Sequence, residues 1–305
     1  MDDGDDRLPT LAERVRAEFG LSWGKARERV ERGQIYIEGE PCLDPARRIA
    51  PDAPIEYNPS RARPRASELE RARLLYADRE LAVVDKAANL LTLPYERGDR
   101  DTLVDRTRAL LRRMDRSYDP ELSVVQRLDK GTTGVLIFAR TLAAKRALKT
   151  QFRERSVERI YLALVYGEAR DQAHETHLIG DRGDGIRGSH GVFRRTRKGP
   201  SPEARYAKTD ARVLERLRGA SLVECSLSTG RQHQIRIHLS EDGNPLIGET
   251  VYRRELKAAE IEADRPMLHA LRVGFDHPRT GERMSFRAEP PEDFRALYDS
   301  LRLGT

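Results

Sequence analysis

Cysteine is nearly absent. Cys42 and Cys225 are the only two in 305 residues, too few for a disulfide framework and too far apart for a paired zinc spacing, so both read as ordinary small side chains. No apolar run approaches the roughly twenty residues that cross a bilayer. The start, Met1-Asp2-Asp3-Gly4-Asp5-Asp6, is acidic where a secretory signal is basic and then apolar. No membrane partner is expected, and the cytoplasm is the default location. A dinucleotide-type glycine fingerprint, a phosphate loop and a well-spaced metal set are also missing, so no cofactor and no metal are expected. The formal net charge is +6, and arginine far outnumbers lysine. Guanidinium forks bind phosphate oxygens in pairs, which makes nucleic acid a reasonable partner, although a salt-bridged exterior has the same composition. The length allows a sizeable core and more than one domain.

Thr10 followed by Glu13 has the form of a capping box and predicts a helix over 11–19. Ser22 caps a second helix that Gly33 ends. Within it Trp23, Ala26 and Val30 fall on one stripe expected to pack, while Lys25, Arg29 and Arg32 recur on a basic face. Strands near 34–38 and 55–57, with a turn at 39–41, complete a module of two helices and a small sheet. This module, over residues 1–57, resembles the S-four-like RNA-binding module, and the basic helix face then implies RNA contact. Residues 58–73 hold Pro59, Pro64 and a run of arginines, and read as a basic linker.

From residue 74 to 305 strands dominate. They are expected near 81–85, 135–139, 160–166, 211–214, 222–227, 271–275 and 284–288, with helices over 101–113 and 142–152 and from about 291 to 301. Strands and helices do not alternate regularly. The fold class is therefore α+β, a mixed and mostly antiparallel sheet with helices on its faces. The glycine-rich stretch between 167 and 205, with the basic run 194–198, reads as a long surface insertion or hairpin.

Two polar clusters stand out. Gln126-Arg127-Leu128-Asp129-Lys130-Gly131-Thr132-Thr133-Gly134 sets an acid in a turn leading into the apolar run 135–139. About a hundred residues on comes Ser228-Thr229-Gly230-Arg231-Gln232-His233-Gln234-Ile235-Arg236-Ile237-His238. Together they look like two halves of one site. Asp129 judged alone reads as a turn cap.

These clusters, the strand Arg159-Ile160-Tyr161-Leu162-Ala163, Pro245-Leu246-Ile247-Gly248, Leu268-His269-Ala270 and His277-Pro278 occur in the order found in the RluA-type pseudouridine synthases, which the chain resembles over about residues 74–292. With the N-terminal module it looks like a full-length bacterial ribosomal-RNA pseudouridine synthase. The resemblance implies an enzyme that flips a uridine out of RNA, detaches the base at nitrogen 1 and rejoins it through carbon 5; a monomer is expected. It assigns Asp129 the catalytic role, by attack on carbon 1′ or proton removal from carbon 2′. Arg236 is then its basic partner, with Arg231 as the other candidate, and such a neighbour favours the charged carboxylate. Tyr161 would stack on the flipped base and assist proton removal from carbon 5. Arg127 would fill the gap left in the RNA.

The chain departs from the family pattern in having Gln126 in place of histidine, Arg159 in place of lysine, and Lys86-Ala87-Ala88-Asn89 in place of a Lys-Pro-Ala-Gly turn. One rival reading is a metal-dependent hydrolase using His233, His238 and His269, but the first two are five residues apart rather than three or four. The other is a non-catalytic RNA-binding or ribosome-assembly protein.

Overall fold

The computed structural model describes residues 8–37, 39–42, 45–59, 69–94, 99, 101–115, 122–192, 202–253 and 260–303. The chain divides into two compact units, Met1–Ser67 with Pro94–Asp105, and Glu68–Leu93 with Arg106–Thr305.

In the first unit α1 (Leu11–Phe19) opens on its capping box: the Thr10 hydroxyl accepts the Glu13 amide, and the Glu13 carboxylate accepts the Thr10 amide at 2.6 Å. The Ser22 hydroxyl caps α2 (Trp23–Glu31) in the same way, by accepting the Lys25 amide. Leu11, Val15, Ala26 and Val30 pack against Ile35 and Ile37. The latter two belong to β1 (Ile35–Ile37), the centre of a small antiparallel sheet with β2 (Glu40–Pro41) and β3 (Ile55–Tyr57).

Two expectations for α2 need correction. Trp23 is not packed with Ala26 and Val30 but is 43% exposed. It is the first helical residue, and within α2 the core cluster holds Ala26 and Val30, while Leu21 packs on it from the turn before the helix. Arg29 turns inward from the basic face. It donates to the Gln34 side chain at 3.0 Å and lies 6.0 Å from the Tyr57 ring centre. Arg32 pairs with Glu28, and Lys25 is exposed.

The second unit holds β4 (Leu74–Ala77), β5 (Leu81–Lys86), β6 (Ser123–Val124), β7 (Thr133–Ala139), β8 (Glu158–Tyr166), β9 (Gln172–Ile179), β10 (Gly188–Ser189), β11 (Arg205–Leu217), β12 (Ala220–Leu227), β13 (Leu268–Asp276) and β14 (Arg283–Arg287). They form an 11-stranded sheet in the order β10-β9-β11-β12-β8-β13-β7-β5-β4, with β6 beside β7 and β14 beside β13. Only β13 and β7 run parallel, so the sheet is mixed and mostly antiparallel. The helices are α3 (Leu103–Met114), which begins at the boundary between units, α4 (Leu142–Glu154), α5 (Gln234–Glu241) and α6 (Glu292–Leu303). From α4, Ala144 and Leu148 pack on Val83, Ile137 and Phe275. From α6, Phe294 and Leu301 pack on Leu164 and Tyr166. Among the described residues no helix is long and apolar enough to cross a membrane.

The parallel pair depends on one glycine. Gly134 has φ 108°, and a Cβ there would lie 2.2 Å from the Ala270 carbonyl oxygen, so the close approach of β7 to β13 excludes any side chain.

The stretch expected as an insertion or hairpin is partly strand: β9 pairs with β11 from Gln172 to Leu178. β11 itself reaches well beyond the predicted 211–214. Its exposed positions carry Arg205, Asp210 and Arg212, and charge at alternate residues hides a strand whose buried face is only half its length. The basic run 194–198 lies outside the described residues, as do Arg61, Arg63 and Arg65 of the expected linker. The described end of that linker is folded: Arg71–Arg73 form a 3-10 turn, and Arg73 bonds Asp85 at 2.9 Å.

Candidate active site

Strands β12, β8, β13 and β7 lie side by side in the middle of the sheet. The loop entering β7 carries Asp129, and buried groups hold that loop from within. Lys86, fully buried at the end of β5, donates to the carbonyls of Ala87, Lys130 and Thr132 at 3.0, 2.9 and 2.7 Å. Burial pulls its ammonium down to about 7, with Asp129 acting the other way. The Thr92 hydroxyl donates to the Leu128 carbonyl at 2.9 Å, and Arg265 reaches the Gly131 carbonyl at 3.1 Å. Asp129 itself remains 26% exposed.

The facing wall is the segment 228–236. Gln234 uses all four hydrogen-bonding positions of its amide. Its oxygen accepts the Thr229 hydroxyl at 2.7 Å and the Arg231 amide at 3.0 Å, and its nitrogen donates to the Lys208 carbonyl and the Thr209 hydroxyl, both at 2.9 Å. This locks the loop ahead of α5. His233, in the left-handed region at φ 58°, turns the chain into the helix.

Arg236, in the first turn of α5, reaches Asp129: Nη1 lies 3.4 Å from Oδ2. Its shorter bonds go elsewhere. Nε and Nη2 donate to the two Glu249 oxygens at 2.7 and 2.8 Å. Glu249 also accepts the amides of Thr250, Val251 and Tyr252. Burial opposes the charge on Glu249, but the Arg236 fork and these amides outweigh it and hold the carboxyl below its usual range. His233 stands on the other side of Asp129, with Nε2 3.7 Å from Oδ1 and Nδ1 2.6 Å from the Tyr252 hydroxyl. Burial lowers the His233 pKa, so the ring is neutral at pH 7.

Tyr161 projects from β8 between Cys225 of β12 and Ala270 of β13. Burial raises its pKa, with Arg159 opposing and Asp129 reinforcing, so the hydroxyl keeps its proton at neutral pH. Arg159 donates to the Leu227 carbonyl at 3.0 Å and lies against Gly230, where a Cβ would come within 2.7 Å of its Nη1.

These groups surround an open cleft. Arg127, Asp129, Tyr161, Arg231 and Arg236, all singled out from the sequence, line it together with His233. Arg231, the alternative partner for Asp129, instead donates to the Tyr206 carbonyl at 2.9 Å. Lys25, Arg29 and Arg32 belong to the first unit. His238 contacts Thr176 and Thr209, and His269 contacts Thr133 and the Ala288 carbonyl, so these two imidazoles and His233 serve separate partners. Among the described residues no group of three His, Cys, Asp or Glu side chains could hold a metal ion.

Sequence reasoning missed Glu249, Tyr252 and the bracing role of Lys86. Glu249 directly follows Pro245-Leu246-Ile247-Gly248, and an acid at the end of an apolar run was the available signal. Lys86 closes an apolar strand, where a lysine must bury its stem or its charge.

Fold and cleft define an α+β protein with a carboxylate facing an open, arginine-lined pocket. Residues 80–241 match the RNA pseudouridylate synthase family, and the chain belongs to that family. It is 35% identical over 236 residues to ribosomal large subunit pseudouridine synthase D of Nitrosomonas europaea, covering 75% of this chain and 65% of that protein, just under two thirds of its length. An RNA pseudouridine synthase of Aquifex aeolicus is 30% identical over 97% of this chain and 94% of its own. The solved structure of human RNA pseudouridylate synthase domain containing 1 superposes with a TM-score of 0.57 at 25% identity, covering 73% of this chain and 86% of that one.

Proposed function

We propose that the chain converts specific uridines of large-subunit ribosomal RNA to pseudouridine, as a cytoplasmic monomer, with Asp129 as the catalytic group. The observation that carries this reading is the partly exposed Asp129 carboxylate in a cleft, 3.4 Å from Arg236, in a chain of this family. The name of the Nitrosomonas relative supports the choice of RNA.

In this mechanism a uridine leaves its stack at a cost of about a few kcal/mol and enters the cleft, while Arg127 fills the vacated place. Asp129 attacks carbon 1′ or takes a proton from carbon 2′, and the bond from carbon 1′ to nitrogen 1 breaks, leaving its electron pair on the uracil. The base turns against Tyr161, and carbon 5 bonds to carbon 1′; in the first route this releases the Asp129 oxygen from carbon 1′, and in the second Asp129 returns its proton to carbon 2′. Loss of the carbon 5 proton restores the ring, and nitrogen 1 gains a proton. Nothing is oxidised or reduced. Arg231 binds a phosphate near the cleft, and the first unit acts as an S-four-like module that contacts RNA, with Lys25 an exposed member of the expected basic face.

The test is to map pseudouridine in ribosomal RNA from cells carrying the wild-type chain or Asp129→Ala. Loss of defined sites with RNA binding retained is the expected result. Unchanged pseudouridine in the variant would favour a non-catalytic RNA-binding protein instead.

A further inference from the structure

Trp23 is the chain's single tryptophan, and it lies on the surface of the first unit. Two guanidiniums stand over its ring, Arg16 of α1 at 5.1 Å from the ring centre and Arg27, one turn along α2, at 6.0 Å. Both arginines are exposed, and neither forms an ion pair among the described residues, whereas Arg14 and Arg32 pair with Glu18 and Glu28. The carboxylates of Glu18 and Glu28 are thus occupied, and Glu13 is engaged by the cap of α1. Gly24 has open space where a side chain would stand, so nothing there obstructs approach.

A half-exposed indole beneath two exposed guanidiniums that form no ion pair among the described residues is complementary to a ligand that carries a flat base and a phosphate together. An apolar protein face would have to strip water from both charges without neutralising them. We propose that Trp23, Arg16 and Arg27 form a platform for an unpaired RNA nucleotide. The base stacks on the indole, and the guanidiniums meet the flanking phosphates. Paired RNA keeps its bases inside the helix and presents only phosphate and ribose, so the platform selects single-stranded segments. The proposal rests on the reading that the chain acts on RNA, but it does not require Asp129 to be catalytic.

The sole tryptophan supplies the test. The full chain carrying Asp129→Asn, which keeps the RNA unmodified, is titrated with an oligouridylate of about twelve nucleotides, within the site sizes of single-strand binders. The expected result is quenching of the indole emission on binding. Inorganic polyphosphate and a duplex of equal charge are expected to leave the emission unquenched. Affinity for labelled oligouridylate should fall about tenfold in Trp23→Ala, and much less in Trp23→Phe, which keeps a ring to stack on. Arg16→Gln with Arg27→Gln should weaken binding and flatten its salt dependence.

Unquenched emission at saturating oligouridylate would overturn the proposal, as would wild-type affinity in Trp23→Ala. Should Trp23→Ala melt early, the Phe variant and the arginine pair decide the matter through the same affinity measurement. A failure of the catalytic reading shows up separately, as pseudouridine persisting in the Asp129 variants, and would leave the quenching unaffected.

Discussion

Arg236 gives two of its three guanidinium nitrogens to Glu249 and only the third to Asp129, at 2.7 and 2.8 Å against 3.4 Å. Charge-assisted bonds of this kind are tightest near 2.7–2.9 Å. Glu249 is therefore the anchor that aims Arg236, and Asp129 is held more loosely.

Replacing Glu249 by Gln leaves a buried guanidinium with one distant counter-charge. Stability is expected to fall by about 3 kcal/mol, the scale for breaking a buried pair. Denaturant unfolding measures this. Pseudouridine formation per folded molecule should fall at least tenfold because Arg236 loses its aim. Wild-type stability in this variant would show that Arg236 does not depend on Glu249.

Lys86 ties the Asp129 loop through the carbonyls of Lys130 and Thr132. Lys86→Met keeps the length and apolar stem but removes the donors. The expected outcome is a kcat lowered about tenfold with KM little changed, because loop geometry is altered and not the RNA-contacting surface. Steady-state kinetics on a target RNA separates the two constants, and a change confined to KM would contradict the bracing role.

Tyr161 contributes a ring and a hydroxyl that can be tested apart. Tyr161→Ala should cost about 3 kcal/mol from the cavity it opens. Tyr161→Phe keeps the packing and should stay within about 1 kcal/mol of wild type. If the hydroxyl assists removal of the carbon 5 proton, the Phe variant binds RNA normally and is slow in turnover. Full turnover in Tyr161→Phe would reduce the residue to stacking alone.

Burial lowers both His238 and His269 from 6.5 to about 4. Between those values the unfolded chain holds protons that the folded chain does not. Their contribution is complete above about pH 6.5 and is lost as pH falls to about 4, by roughly 3 kcal/mol for each ring. Melting temperature measured from pH 7 down to pH 4 should fall steeply. His238→Gln should flatten that slope, and an unchanged slope would mean that the ring is not buried neutral.

Local chemistry was legible wherever neighbours in sequence are also neighbours in space. The capping box of Thr10 and Glu13, the apolar run of β7 and the helix of Leu142–Glu154 follow from short-range patterns, and the structure has them where the residues predict. The ordered motifs also indicated the family, which the matched region establishes. The half-exposed β11 was only partly legible, because its charged positions weaken the strand signal. Trp23 misled because helical periodicity tells which residues share a stripe, but not how far along that stripe the core extends.

Motif and composition were enough to pick out the acid, the tyrosine and the arginines of the cleft, since each stands in a polar cluster or motif. They could not say which arginine meets Asp129, nor that Glu249, thirteen residues beyond Arg236, holds it in place. Those choices belong to the tertiary structure. An ion pair forms between groups whose separation along the chain carries no energy, and burial decides afterwards which of them must be paired.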